Sequence, residues 1–254
     1  DPVVQKVINR MQSFENVKQV TEWSREIGYT SISHDLIFGL PKQSLDSVID
    51  TIKKTKELKP DRIAYYSYAH VPWIKGVGQR GYDENDLPKD EVKRELYEVG
   101  KQMFDELGYV EIGMDHFALK TDNMYNAMEA KELHRNFMGY TASNTQLMIG
   151  LGMSSISDSW YSFAQNAKTV KEYTSLVNDG KIPIYRGHLL NKEDQIIRRH
   201  ILNIMCHFET SWVDPKLQFE GMNDIKGRLE EMEKDGLVEF KENGIVIPEV
   251  ARPF

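Results

Sequence analysis

Five short stretches of this sequence carry side chains that could do chemistry. Asp35-Leu36-Ile37-Phe38-Gly39-Leu40-Pro41-Lys42-Gln43 places a carboxylate in an otherwise apolar run. A carboxylate there needs donors, because burying it alone is costly. It is either a structural Asp bonded to loop amides or a ligand contact such as a ribose diol, which a carboxylate can accept from in a bidentate manner. Gly39 and Pro41 shape a tight turn that lets backbone approach a ligand. Gly113-Met114-Asp115-His116-Phe117-Ala118 offers an Asp-His pair beside glycine, read as a polar site or as loop capping. His134-Arg135-Asn136-Phe137-Met138-Gly139-Tyr140-Thr141 combines cations, an amide and aromatics. It suits a flat anionic molecule clamped by Arg135, or is a solvated loop. Gly150-Leu151-Gly152-Met153-Ser154-Ser155-Ile156-Ser157 is rich in small residues but is not a complete phosphate-loop pattern. Arg10 follows the apolar run Val3, Val4, Val7, Ile8, and surface exposure is its ordinary fate. Cys206, between Met205 and His207, reads as a packed, inert thiol.

The elements that must position these residues follow from periodicity. Val17, Val20, Trp23 and Ile27 have helical spacing over 16–27, and Gly28 ends the helix. Residues 29–40 read as a buried strand. Ser44 caps a helix with Val48, Ile49, Ile52 and Leu58 on one side, closed by Pro60. Residues 62–68 form a second strand. A helix runs from Pro88 and Asp90 to Leu107, and 109–112 form a third strand. Helices between short strands predict βα units and a parallel sheet, with ligands on the loops 35–43, 69–73 and 113–117.

The last third reads differently. Residues 191–208 form an amphipathic helix, with Ile196, Ile197, Ile201, Ile204 and Met205 toward a core, and 223–234 form another. Leu237 to Ile247 is a hairpin signal with Asn243-Gly244 at its turn. Helices followed by a hairpin resemble a winged-helix module. The expected domains are 1–183 and 184–254, the fold class α/β.

Composition excludes several functions. The chain has 254 residues, 40% of them hydrophobic, so it can bury a core. A net charge of −7 argues against a general nucleic-acid binder. Residues 186–254 hold 10 Lys+Arg against 13 Asp+Glu, which disfavours DNA binding by the winged-helix-like part. No run of about 18 apolar residues predicts a membrane span. One cysteine excludes an intramolecular disulfide framework or a multi-cysteine metal site held by this chain, and fits a reducing compartment, the cytoplasm. Asp1-Pro2-Val3-Val4 reads like the middle of a polypeptide, so a fragment or processed chain is expected.

Taken in order, these stretches, together with Tyr66-Ser67-Tyr68-Ala69-His70-Val71-Pro72, resemble the oxygen-independent coproporphyrinogen III oxidases (dehydrogenases). These are radical S-adenosylmethionine (SAM) enzymes of haem biosynthesis. The resemblance implies the C-terminal part of a partial (β/α) barrel followed by a mainly helical domain. It implies oxidative decarboxylation of two propionates of coproporphyrinogen III to vinyl groups, giving protoporphyrinogen IX. In the family a [4Fe–4S] cluster cleaves SAM to a 5′-deoxyadenosyl radical, with an electron donor and an electron acceptor as further partners. It implies SAM contacts at Arg10 (methionyl carboxylate), Asp35 (ribose), Ala69 (backbone), Ile156 (apolar wall) and Phe137 (a second SAM). His116, His134 and Arg135 are candidate substrate contacts that could meet propionates or set loop geometry. Met138 stands where other versions of the motif carry Gln, and a thioether cannot donate a hydrogen bond. The family's Cys-x-x-x-Cys-x-x-Cys motif is not in this sequence, so the 254 residues alone are expected to be inactive. A haem-binding chaperone of the same superfamily is the competing reading.

Overall fold

The computed structural model describes residues 1–73 and 81–252, which divide into two compact units, 1–126 and 127–254. The first opens with helices α1 (Pro2–Val7) and α2 (Phe14–Ile27), followed by β1 (Ser33–Phe38), α3 (Leu45–Leu58), β2 (Arg62–Ser67), α4 (Asp90–Glu106), β3 (Tyr109–Gly113) and β4 (His116–Leu119). Local chemistry sets the boundaries. Ser13 and Ser44 cap α2 and α3 by accepting from backbone amides, and Gly28 ends α2 in the left-handed region at φ 105°.

The sheet of this unit has strand order β1-β2-β4-β3. β1 and β2 are parallel, as expected, with α3 as their crossover. The all-parallel expectation fails after that. Residues 113–117 are not a strand-end loop: Gly113 pairs with His116 across a two-residue turn, and β4 runs antiparallel between β3 and β2. The strand is only four residues long, and its signal merged with the loop that precedes it. β1 is also less buried than its apolar run predicts. It is a sheet edge, its burial alternates, and only Phe38 is fully covered.

That alternation separates two faces. One carries Phe38, Ile63, Tyr65 and Phe117 into a core with Val48 and Ile52 of α3 and Leu96, Tyr97 and Phe104 of α4. The apolar stripe of α2 does not mark its inward face: Val20, Trp23 and Ile27 are exposed. Thr21 is buried instead, its hydroxyl donating to Val17 O and meeting His34 Nε2 at 3.1 Å.

After α5 (Asn123–Glu129), the second unit contains β5 (His134–Asn136), β6 (Gly139–Thr141), β7 (Leu147–Met148), β8 (Ile156–Ser159), β9 (Ser162–Asn166), α6 (Val170–Asn178), β10 (Ile184–Leu189), α7 (Lys192–His207), β11 (Glu209–Ser211), α8 (Met222–Lys234), β12 (Glu239–Lys241) and β13 (Gly244–Val246). β5 and β6 form a hairpin, and β10-β9-β8-β7 form an antiparallel sheet. This sheet runs across residues 183 and 184 through the β9–β10 pairing.

α7, α8 and the sheet β11-β13-β12 make the winged-helix-like module, cored by Trp212, Met222, Val238 and Ile245. Two expectations are corrected here. Ile201 is exposed, and Cys206 is the fully buried residue of α7. The hairpin loop is Glu242-Asn243, neither with positive φ, and Gly244 already pairs with Lys241. Glycine is required at 244 for a different reason, since a β-carbon there would collide with the backbone of Thr210 on β11.

Candidate functional site

Each unit carries one group of candidate residues. In the first, register places Asp35 opposite Ala64, and Ile37 opposite Tyr66, while Ala64 also faces His116 on β4. Residues paired in register and residues two apart share a face. Asp35, Ile37, Tyr66 and His116 therefore project from the sheet face opposite the Phe38–Tyr65 core. Asp35 is exposed, so its carboxylate has no burial cost to offset, and no loop amide bonds it among the described residues. The loop-amide alternative is not realised.

The turn after β1 is closed by Gln43, whose side chain accepts from Leu40 N at 3.0 Å and donates to Ile37 O at 3.1 Å. Gly39, at φ 80°, supplies the left-handed residue that this turn needs. The backbone preceding Ala69 is fixed by Tyr68 N donating to Phe38 O at 2.8 Å and by Lys93 Nζ donating to Tyr68 O at 2.9 Å.

His116 has a defined tautomer. Its Nδ1 lies 2.7 Å from Met114 O, a carbonyl that can only accept, so Nδ1 carries the proton. Nε2 lies 3.3 Å from the Tyr66 hydroxyl and accepts from it in the neutral ring, with the two rings edge-to-face at 5.6 Å. The residue type of Tyr66 and its position in the motif do not point to this role. The signal for it is the register, which sequence alone does not supply.

Arg10 sits in a loop held by one side chain. Gln5 Nε2 donates to Gln12 O and Gln5 Oε1 accepts from Gln12 N, both at 2.8 Å. The guanidinium is exposed and has no hydrogen-bond partner among the described residues, which suits it to an anionic group.

In the second unit, Ile156 and Asp158 of β8 alternate to one face, with Phe163 opposite Asp158 and Gln165 opposite Ile156. Phe137 occupies the two-residue tip of the β5–β6 hairpin, 52% exposed, and its ring meets Phe163 edge-on at 5.1 Å. Phe137 and Ile156 thus converge on one face. Met138, beside Phe137, is exposed as well. Arg135 lies over the Tyr140 ring at 4.7 Å. His134 is buried, and burial first, then the nearby Arg198, holds its imidazole below the usual range and neutral.

The segment 150–157 is a tightly bonded loop leading into the first two residues of β8. Asn166 Nδ2 donates to Gly150 O and to Gly152 O, each at 2.9 Å, and Gly150 N donates to Ser157 Oγ at 3.0 Å.

One cluster escaped the sequence reading. Arg198 of α7 donates from one nitrogen, Nη2, to both Asp158 oxygens, each at 2.9 Å, and from Nη1 to Ser159 O at 3.0 Å, and its guanidinium lies over the Trp160 (5.0 Å) and Phe163 (4.9 Å) rings. α7 was read only for its apolar positions, which hid its polar side.

The whole chain superposes on a solved structure at TM-score 0.91 and 34% identity, covering 100% of this chain and 59% of that one; its title describes coproporphyrinogen III oxidase from Escherichia coli as a radical SAM enzyme. Over the part it spans, the chain is similar to the oxygen-independent coproporphyrinogen III oxidases. Curated relatives agree. A coproporphyrinogen III oxidase (anaerobic 1) of Cereibacter sphaeroides is 41% identical over 206 residues, covering 81% of this chain and 45% of that protein. The oxygen-independent oxidase of Pseudomonas aeruginosa is 36% identical over 258 residues (99% and 56%), and that of Escherichia coli K12 36% over 250 residues (96% and 54%). The chain therefore spans about half the length of the curated relatives it matches. No family model matches. Among the described residues, no helix is long and apolar enough to cross a membrane.

Proposed function

We propose that the protein containing this chain decarboxylates two propionates of coproporphyrinogen III to vinyl groups in the cytoplasm. Each propionate loses carbon dioxide, a β-hydrogen atom and one further electron, and that electron requires an acceptor. A donor is needed to start the cofactor chemistry. The supporting observation is the superposition of all of this chain on the Escherichia coli radical SAM enzyme.

The residues present fit SAM. In this reading the exposed guanidinium of Arg10 binds the methionyl carboxylate, and Asp35 accepts from the ribose hydroxyls. The backbone at Ala69 meets the adenine end; in the second unit Ile156 supplies an apolar contact and Phe137 meets a second SAM. When bound, SAM supplies the hydrogen-abstracting radical. His116, on the Asp35 face, and Arg135 contact propionates, whereas the buried, neutral His134 sets the geometry of its hairpin.

A [4Fe–4S] cluster does not fit the residues of this chain. The one cysteine, Cys206, is buried and its thiol is pushed up to about 11 by burial, the opposite of a thiolate ligand. No step is assigned to a cluster held here. The domain division 1–183 and 184–254 is retained as part of this proposal, with the winged-helix-like module covering the substrate; its acidic balance supports a role other than phosphate contact.

The test is an anaerobic assay of the full-length protein with coproporphyrinogen III, SAM and a reductant. Carbon dioxide release and protoporphyrinogen IX formation are expected, with Asp35→Asn weakening SAM affinity about tenfold, about the effect of losing one charge-assisted hydrogen bond. Absence of product, with tight haem binding in its place, would overturn the proposal.

A further inference from the structure

We propose that Arg198 is a positioning residue that fixes Phe137, through Phe163, as a rigid wall of the ligand site; this rests on the reading of Phe137 and Ile156 as ligand contacts. Phe137 occupies a two-residue hairpin tip between Asn136 and Gly139, where an aromatic ring has few neighbours. Its ring is stopped by the edge-on contact with Phe163. Phe163 is backed in turn by the guanidinium of Arg198 at 4.9 Å.

Arginine is suited to this place by its shape. In its plane it donates to both Asp158 oxygens and to Ser159 O, which fixes its orientation relative to β8. The guanidinium carbon also lies over the Trp160 and Phe163 rings, at 5.0 and 4.9 Å. Asp158 and Phe163 are opposite each other in register, so ion pair and ring occupy one face. The pair is well shielded, with side chains 12% and 8% exposed, so water does not compete for it. The neutral His134 adds no second cation beside Arg198. The Phe137 ring is thereby pre-set before a ligand arrives, which removes an ordering cost from binding. Phe163 and Arg198 lie behind Phe137, so Arg198 acts through Phe137 rather than by touching the ligand.

Lysine at 198 keeps a cation for Asp158 but loses both the fork and the planar guanidinium. In the full-length protein, Arg198→Lys should weaken SAM binding about fivefold, within the coupling range of contacting residues. Phe137→Ala should do the same, and the double variant should be no worse than Phe137→Ala alone. Phe163→Leu, which leaves the ion pair intact, provides a second route to the same non-additivity if Arg198→Lys folds poorly. A readout independent of activity is the fluorine resonance of 4-fluorophenylalanine placed at position 137. Its shift should be displaced from the unfolded value in the wild type and collapse toward it in Arg198→Lys or Phe163→Leu. Additive losses in SAM affinity, or an unchanged fluorine resonance in both backgrounds, would overturn the proposal. Failure of the functional reading is distinguishable, because it abolishes wild-type product formation while the fluorine measurement still reports the ring.

Discussion

Gly100 of α4 and Tyr65 of β2 interlock: a β-carbon at position 100 would lie 2.5 Å from Tyr65 Cε1. The ring cannot withdraw, since Tyr65 is fully buried and its hydroxyl donates to Leu96 O at 2.8 Å. The glycine is what lets α4 approach the sheet at this point. Gly100→Ala gains helix propensity of about 1 kcal/mol but forces the ring or the helix to shift, at about 1–3 kcal/mol. A net destabilisation is expected as a lower urea midpoint. A midpoint equal to or above wild type would contradict the interlock.

Asp122 anchors the start of α5 beneath the sheet edge. Its carboxylate, 1% exposed, accepts from Ser31 Oγ (2.6 Å), Arg62 Nε (2.8 Å) and Met124 N (2.7 Å). Removing it leaves Arg62 without its buried counter-charge. Asp122→Ala should therefore cost about 3–5 kcal/mol, the range for breaking a buried pair from one side. Chemical denaturation measures this, and a loss below about 1 kcal/mol would show the pair to be dispensable.

Acid should weaken both units through histidine. Burial lowers the imidazole of His34 and of His134 below the ordinary histidine value of about 6.5. A lowered folded-state value means the unfolded chain binds the proton more readily. The stability contribution is present above about pH 6.5 and is lost as pH falls from there toward the folded-state values. The urea midpoint should drop between pH 7.5 and pH 5.5, and His34→Gln should flatten part of that slope. An identical slope in the variant would remove His34 from the account.

Cys206 should resist alkylation. Burial pushes its thiol up to about 11, so it is neutral at pH 8 and sealed from reagent. Iodoacetamide followed by mass spectrometry should find it unmodified in the native protein and labelled in urea. Rapid native labelling would contradict the packing of α7.

The helices α2, α3, α4, α7 and α8 are legible in the sequence because their periodicity and end signals are encoded locally, whereas the shorter α5 and α6 span too few turns to be read that way. Ser44, Gly28 and Asn191 each satisfy backbone groups within a turn. The chemistry-bearing stretches were legible by residue type for the same reason. What escaped was encoded by pairing across distance. β4 could not be separated from its turn without knowing that Phe117 and Ala118 enter the core between two strands. Tyr66 becomes a neighbour of His116 only through that insertion. The Arg198–Asp158 pair joins residues forty positions apart, and periodicity is silent about such partners.

The placement of β4 also dictates an order of assembly. β1 and β2 meet through one helix, but the other edge of β2 waits for a partner about fifty residues later in the chain. That partner arrives ready-made, because β3 and β4 close on each other across the Met114-Asp115 turn, with Asp115 in the left-handed region. Hairpins of this kind form in microseconds, whereas the long loop closure is slower. Completion of the sheet is therefore the docking of a finished hairpin onto a waiting edge, and the closure of the long connection, not the turn at 114–115, is the slow step for this half of the molecule.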